Sequence, residues 1–132
     1  ELDYLIVDLP PGTSDAPLTI MQTLPLDGFV IVTTPQPLAR LDATRSLNMV
    51  RKMNIPIIGV VENFSGQVFG SGAGEELSQE TGVAFLGRFE LRSDYQSSAD
   101  APALFNSPAV KREFEAVMQR TIPTLDTLKG AD

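Results

Sequence analysis

A chain of 132 residues with 42% hydrophobic content matches one domain in size and apolar content, large enough to bury a core. Its formal charge of -7 excludes a general nucleic-acid binder and disfavours an anionic membrane surface, because no basic stripe is present to neutralise phosphates. With no Cys and no His, disulfides, thiolate ligands and imidazole bases are excluded, so chemistry must rest on carboxylates, backbone amides, hydroxyls or a bound cation.

The chain opens on Asp3 to Leu9, where Leu5, Ile6, Val7 and Leu9 form a nearly continuous apolar run. This predicts a parallel strand covered on both faces, ending at Asp8 and breaking into the turn Pro10-Pro11-Gly12-Thr13. In P-loop nucleotide hydrolases an aspartate so placed holds Mg²⁺, usually through a water, and the glycine turn offers a backbone N–H to the terminal phosphate. The plainer reading is a strand-to-loop junction whose Asp8 caps a turn. A phosphate-binding stretch of the form G-x-x-x-x-G-K-[S/T] does not occur in these residues. Gly70-Ser71-Gly72-Ala73-Gly74 is glycine-rich, but no lysine follows it and it reads as a helix-entry turn. The opening inside a strand and without Met leads to the expectation that the native protein is longer and that the other half of the site lies outside these residues.

Further elements alternate. Ser14 or Asp15 caps a short helix with Pro17 in its first turn, running through Leu18, Ile20, Met21 and Leu24 to Pro25. Gly28 to Thr34 is a second buried strand, closed by Pro35 and Pro37. Leu38 to Met53 is a helix with Leu41, Ala43, Leu47, Val50 and Met53 near one face. A third strand spans Pro56 to Glu62 and ends at Asn63; a helix over Ala73 to Thr81 and a short strand over Val83 to Leu86 follow. Residues 88–106 show no periodicity and read as a long surface loop, of a length that tends to be functional or disordered. The run from Gln96 to Asp100 reads as polar loop. Ser107-Pro108 opens a last helix whose apolar stripe includes Val110, Phe114, Val117, Met118 and Leu125, with Pro123 expected to kink or shorten it. The order predicts an α/β fold, a parallel sheet with helices on both faces and right-handed crossovers, in one domain. Glu75, Glu76 and Glu80 read as a solvated helix face, and Met49, Met53 and Met118 as core filler. No apolar run approaches the roughly 20 residues that span a bilayer and no signal peptide is visible, so the cytoplasm is the expected compartment.

Several motifs in order resemble the Mrp/ApbC family, ATPases of the MinD/ParA superfamily linked to iron–sulfur cluster assembly. They are Asp3-Tyr4-Leu5-Ile6-Val7-Asp8-Leu9-Pro10-Pro11-Gly12-Thr13, Val32-Thr33-Thr34-Pro35-Gln36, the helix with Asp42 and Arg45, Gly59-Val60-Val61-Glu62-Asn63-Phe64-Ser65, Phe69-Gly70, Leu86-Gly87-Arg88 and Ser107-Pro108. The resemblance implies that residues 1–132 are the C-terminal part of a P-loop ATPase domain of SIMIBI type. Within it, a Walker B and switch segment would lie at 8–15, an adenine-side motif near 63, the long loop at 88–106 and a terminal helix from 107. It implies Mg²⁺ near Asp8, a γ-phosphate-responsive turn at Pro10, Pro11, Gly12 and Thr13 with Asp15 at its far edge, and an adenine contact at Asn63. By residue type alone Asn63 is a turn residue closing a strand. Asp42 and Arg45 resemble a helix pair near the family's dimer interface, against the plainer reading of a solvated i,i+3 pair.

The implied activity is ATP binding and hydrolysis by a homodimer serving iron–sulfur client proteins, with this chain alone inactive. No nucleic acid or membrane is implied as a partner. The alternatives are a positioning or partitioning ATPase of the MinD/ParA kind, or a non-catalytic interaction domain that keeps the scaffold. Many members place C-x-x-C between the Glu62–Ser65 motif and Phe69-Gly70, and this chain has no Cys there, so a thiolate-held iron–sulfur cluster is not expected of it. Phe89-Glu90-Leu91-Arg92-Ser93 also lacks both prolines of the family's L-G-x-[I/V]-P-L-D-P loop, and no binding role is carried onto Glu90 or Arg92. The resemblance further implies that the strand bearing the phosphate loop lies between the Asp8 strand and Phe29–Thr33, leaving a gap there.

Overall fold

The computed structural model describes residues 1–13, 15–97 and 100–130. Three parallel strands, β1 (Phe29–Thr33), β2 (Ile57–Ser65) and β3 (Phe85–Glu90), form a sheet in the order β1-β2-β3. Each is rich in β-branched or aromatic residues, and parallel pairing forces a crossover between successive strands. The crossovers are α2 (Pro37–Lys52) between β1 and β2 and α3 (Ala73–Thr81) between β2 and β3. Pro37 suits the first turn of α2, where its missing N–H has no partner to lose, and Arg51 and Lys52 sit favourably in the last turn. Around them lie α1 (Asp15–Thr23), the four-residue turns α4 (Asp94–Ser97) and α5 (Ala101–Leu104), and α6 (Pro108–Gly130).

Helices cover both faces of the sheet, as the alternation predicts. On one face Met21 of α1, Ala43, Leu47 and Val50 of α2 and Leu77 of α3 pack against Ile31 and Val60. On the other, Val117 of α6 is buried with Ile58, Val61 and Leu86, joined by Leu125 and Leu128. Strand β2, paired on both sides, is buried from Ile58 to Glu62, whereas β1 and β3 are edges. α6 runs unbroken past Pro123, where a kink or stop was expected. Its contacts with the sheet on both sides of that proline hold the helix together.

Three expectations are corrected. Residues 4–10 have no regular structure, and Leu5 and Ile6, expected in a buried strand, are 78% and 85% exposed. An isolated apolar run becomes a strand only with a neighbour to complete its hydrogen-bond ladder, and among the described residues the outer edge of β1 pairs with no strand. The strand predicted to end at Asn63 continues to Ser65, and the one predicted over Val83 to Leu86 lies at Phe85–Glu90. Residues 88–106 are not a free loop. They contain the end of β3, α4 and α5, and are held to α6 by Phe89 and Phe105 packing on Phe114, at 4.6 and 5.3 Å between ring centroids, and by Arg92 pairing with Glu113 at 2.8 Å. Four-residue turns leave no periodicity to read, and their anchors come from a helix beyond them in the chain. The expected cap at Ser14 lies outside the described residues, as do Ser98 and Ala99 of the predicted polar run.

β1 and β2 slip by one residue between Phe29 and Val30. The slip sits beside Gly59, where an added Cβ would come within 2.5 Å of the Ala84 carbonyl oxygen and 2.7 Å of Leu86 Cγ. Neither the Ala84 carbonyl, which accepts the Val60 N–H at 2.8 Å, nor a fully buried leucine can move away cheaply. Gly59→Ala is therefore expected to destabilise the fold by about 1–3 kcal/mol, measured by urea unfolding followed by circular dichroism. A stability equal to the parent would contradict this packing.

Candidate functional site

In open parallel sheets ligands gather where the strands end at their carboxyl edge. Here that rim consists of Thr33-Thr34-Pro35 after β1, Glu62-Asn63-Phe64 near the end of β2 and Arg88 to Glu90 at the end of β3. In register, Thr33 lies beside Glu62, and Glu62 beside Arg88.

Glu62 is the most informative residue of the rim, although its residue type and position mark it only as a strand end. It is fully buried, and its carboxylate accepts the Gly74 N–H at 2.9 Å and the Gly72 N–H at 3.1 and 3.3 Å. These amides lie at the entry to α3, where unsatisfied N–H groups and the helix dipole favour a negative charge. Gly74 permits the approach, since an added Cβ there would lie 3.0 Å from both Glu62 Cβ and Phe85 Cε2. The glycine-rich stretch is thus a helix entry, as predicted, and its ligand is an internal carboxylate. The available signal was a charged residue in an otherwise apolar strand, followed by Gly72-x-Gly74 ahead of a helix.

Asn63 is half-buried on β2, and its Oδ1 accepts the N–H of Phe64 at 3.0 Å. Phe64 adopts a left-handed backbone, φ 54°, which turns the strand at the rim. Beyond it, Gly66 and Gly70 exchange backbone hydrogen bonds of 2.8 and 2.7 Å and close a loop that leaves Phe64, Val68 and Phe69 exposed. Thr34 Oγ1, at the end of β1, is buried without a hydrogen-bond partner among the described residues.

Asp8, Pro11, Gly12 and Thr13 are all exposed, and no hydrogen bond or ion pair joins them to Asn63 among the described residues. The glycine turn is nonetheless present, Gly12 having φ 100° with open space around it, immediately ahead of α1. Asp42 and Arg45 form an exposed i,i+3 pair at 3.4 Å. The acidic face of α3 is engaged by arginines: Arg40 of α2 reaches Glu76 at 2.7 Å and Glu80 at 2.5 Å, and Arg88 bonds Glu75. The hydrogen bond from Arg40 to Glu80, followed by the two carboxylate charges, raises the guanidinium above its ordinary range despite desolvation.

Truncating Glu62 strands the buried Gly74 amide and the half-buried Gly72 amide. Glu62→Ala is expected to cost about 2–4 kcal/mol and Glu62→Gln, which keeps an acceptor, about 1–2 kcal/mol, both read by urea unfolding. Equal losses for the two variants would show that the hydrogen bonds are not what the side chain contributes.

Comparison with known proteins places this geometry in context. The family described as ParA, NUBPL iron-transfer P-loop NTPase, matches residues 1–125. An iron-sulfur cluster carrier protein of Methanocaldococcus jannaschii is 40% identical over 98% of this chain and 49% of its own length. One from Pseudomonas fragi is 46% identical over 76% of this chain and 38% of its own. Among solved structures, a nucleotide-binding protein from Archaeoglobus fulgidus in complex with ADP superposes with a TM-score of 0.65 at 32% identity, covering 86% of this chain and 49% of that one. The chain spans about half the length of the curated archaeal relatives it matches.

Proposed function

The chain belongs to the ParA-type family of NUBPL iron-transfer P-loop NTPases, and on that premise we propose that it is the switch and base-binding part of an ATP-hydrolysing factor for iron–sulfur cluster assembly. The observation carrying this reading is the Asp8 carboxylate followed by a left-handed Gly12 turn that leads into α1, in a chain whose match to the family runs through both. In this reading Asp8 would hold Mg²⁺, the backbone N–H of Gly12 would donate to the terminal phosphate, Pro11 would stiffen the turn and Thr13 would add a hydroxyl. Asn63, whose amide nitrogen makes no hydrogen bond among the described residues, offers donors to the adenine edge. The Mg²⁺–nucleotide supplies a phosphoanhydride bond whose cleavage the turn senses.

The residues present fit part of such a ligand. Asp8 pairs with no cation among the described residues, and Thr34 Oγ1 is an orphaned polar atom on the same rim as Asn63. Among the described residues no Lys or Arg pairs with or hydrogen-bonds Asp8, Gly12 or Asn63, and this reading names no phosphate-binding lysine among them. The iron–sulfur cluster is cargo in this reading, and without thiolate or imidazole the chain serves as an ATP-driven assembly factor for client proteins, not as a cysteine ligand. It works as a homodimer in the cytoplasm; the exposed Phe64, Val68 and Phe69 support the first statement, and the second accords with the described helices, none of which is long and apolar enough to cross a membrane. A second reading, a non-catalytic interaction domain, draws on the exposure of Asp8 on an unpaired segment.

Two experiments decide. Alone, the 132 residues are expected to hydrolyse no ATP above background. Supplied with a phosphate-loop segment they are expected to turn over ATP, and Asp8→Ala is expected to lower that turnover about 100-fold or more, measured as phosphate release. Turnover that survives Asp8→Ala rejects the role of Asp8, and no turnover even with the loop favours the interaction domain. In anaerobic reconstitution with iron and sulfide the chain is expected to stay colourless, and a stoichiometric visible absorption band would overturn the cargo assignment.

A further inference from the structure

Positive charge is scarce in this protein and unevenly placed. Of its seven arginines, four line one shallow, open depression of about 470 Å³ between β3 and α6: Arg88, Arg92, Arg112 and Arg120. The chain as a whole carries -7. The four are not equivalent. Arg88 is held by Glu75, and Arg92 by Glu113 and Glu90, both at 2.8 Å. The hydrogen bond that Arg92 donates to Glu113, then the charges of Glu113, Glu90 and Asp94, keep the Arg92 guanidinium above its ordinary range against desolvation. Arg112 and Arg120 pair with no carboxylate among the described residues, although Arg120 reaches the Phe85 carbonyl at 3.5 Å.

On the floor between these cations lie the apolar Phe85, Leu86, Ala116 and Val117, with the carboxylates of Glu75 and Glu113 beside Arg88 and Arg92, and one wall is the edge of the sheet. β3 pairs with β2 on one side, and no strand pairs with its other side among the described residues. Side chains of α6 meet it instead: Arg120 at the Phe85 carbonyl and Glu113 at the Glu90 N–H, 3.3 Å away. A strand edge without a strand partner is a template for an added strand, and β3 offers one although its register with β2 shifts between Phe85 and Gly87.

Spacing narrows the occupant. Arg112 and Arg120 are eight residues apart on a helix, about 12 Å along its axis. In an extended chain, residues i and i+4 share a face and lie about 13 Å apart. We propose that the groove between the open edge of β3 and α6 docks an extended segment of a partner protein that carries acidic residues at i and i+4, with the intervening same-face residue on the apolar floor. The open shape and the absence of a buried polar side chain aimed into it suit a polypeptide better than a small anion. This site is separate from the rim assigned to nucleotide, and its test needs no ATP.

The probes are fluorescein-labelled nonapeptides of Thr and Val with Glu at positions i and i+4, with Gln at the same positions, or with Glu at i and i+3, which face opposite sides of a strand. Anisotropy titrations with the full protein are expected to show the i,i+4 Glu peptide binding about tenfold or more tightly than the other two, with affinity falling as salt rises. Amide shifts are expected to concentrate in Phe85 to Glu90 and in residues 109–120. Arg112→Glu combined with Arg120→Glu is expected to weaken that peptide about tenfold or more, while Lys52→Glu at the end of α2 leaves binding unchanged. If the reversal disturbs the far-ultraviolet circular dichroism, the neutral pair Arg112→Gln and Arg120→Gln replaces it, with a smaller loss expected. Four results would overturn the proposal: equal binding of the Gln peptide, no binding at millimolar concentration, full displacement by inorganic phosphate with the same amide shifts, or a self-association that the charge reversal abolishes. The third would mark a small-anion site and the fourth a contact between copies.

Discussion

The structure depends on β2 being the strand with neighbours on both edges and helices on both faces. A strand so placed must be apolar on both sides, and Ile58, Val60 and Val61 are buried accordingly, Val60 completely. α2 and α3 dock on one face because Val60 and Ile31 present an apolar surface there, and α6 docks on the other through Ile58, Val61 and Leu86. The same burial makes Glu62 exceptional. A carboxylate at the end of such a strand is tolerated only where other groups replace its water, and the amides of Gly72 and Gly74 do so. This buried charge ties the entry of α3 to β2 and so holds the loop between them against the carboxyl rim of the sheet.

The two edges of the sheet are handled differently, and function follows that difference. At β1 no strand pairs with the outer edge among the described residues, Val32 is 58% exposed, and Leu2, Tyr4, Leu5, Ile6 and Val7 are exposed as well. The site proposed at Asp8 lies on this unsupported side, so its geometry depends on whatever orders that segment. At β3 the edge is flanked by α6, which supplies both a hydrophobic floor and cations from a helix that otherwise serves as packing. The docking groove proposed there uses an edge strand and one face of a packing helix, and leaves the core undisturbed.

Much of this was legible in the chain. Strand and helix alternation determined the fold class, since parallel strands require crossovers and continuous apolar runs require cover on both faces. The helix expected over about Ala73 to Thr81 lies at those residues, bracketed by Gly72 and Gly82 in left-handed backbone that few other residues adopt. The Gly12 turn and the exposed Asp42 and Arg45 pair were equally readable, for both rest on contacts within a few residues. What tertiary structure alone decided were matters of distant pairing. Leu5 and Ile6 have the composition of a buried strand, yet a strand exists only when another backbone lies alongside, and composition cannot supply that neighbour. The anchoring of residues 88–106 by Phe114 and Glu113, the seating of Glu62 on amides ten and twelve residues away, and the gathering of four arginines from β3, the segment after it and α6 all required the chain to fold back on itself. Local pattern determines which elements form, and the convergence of their side chains is set by packing geometry that no local window contains.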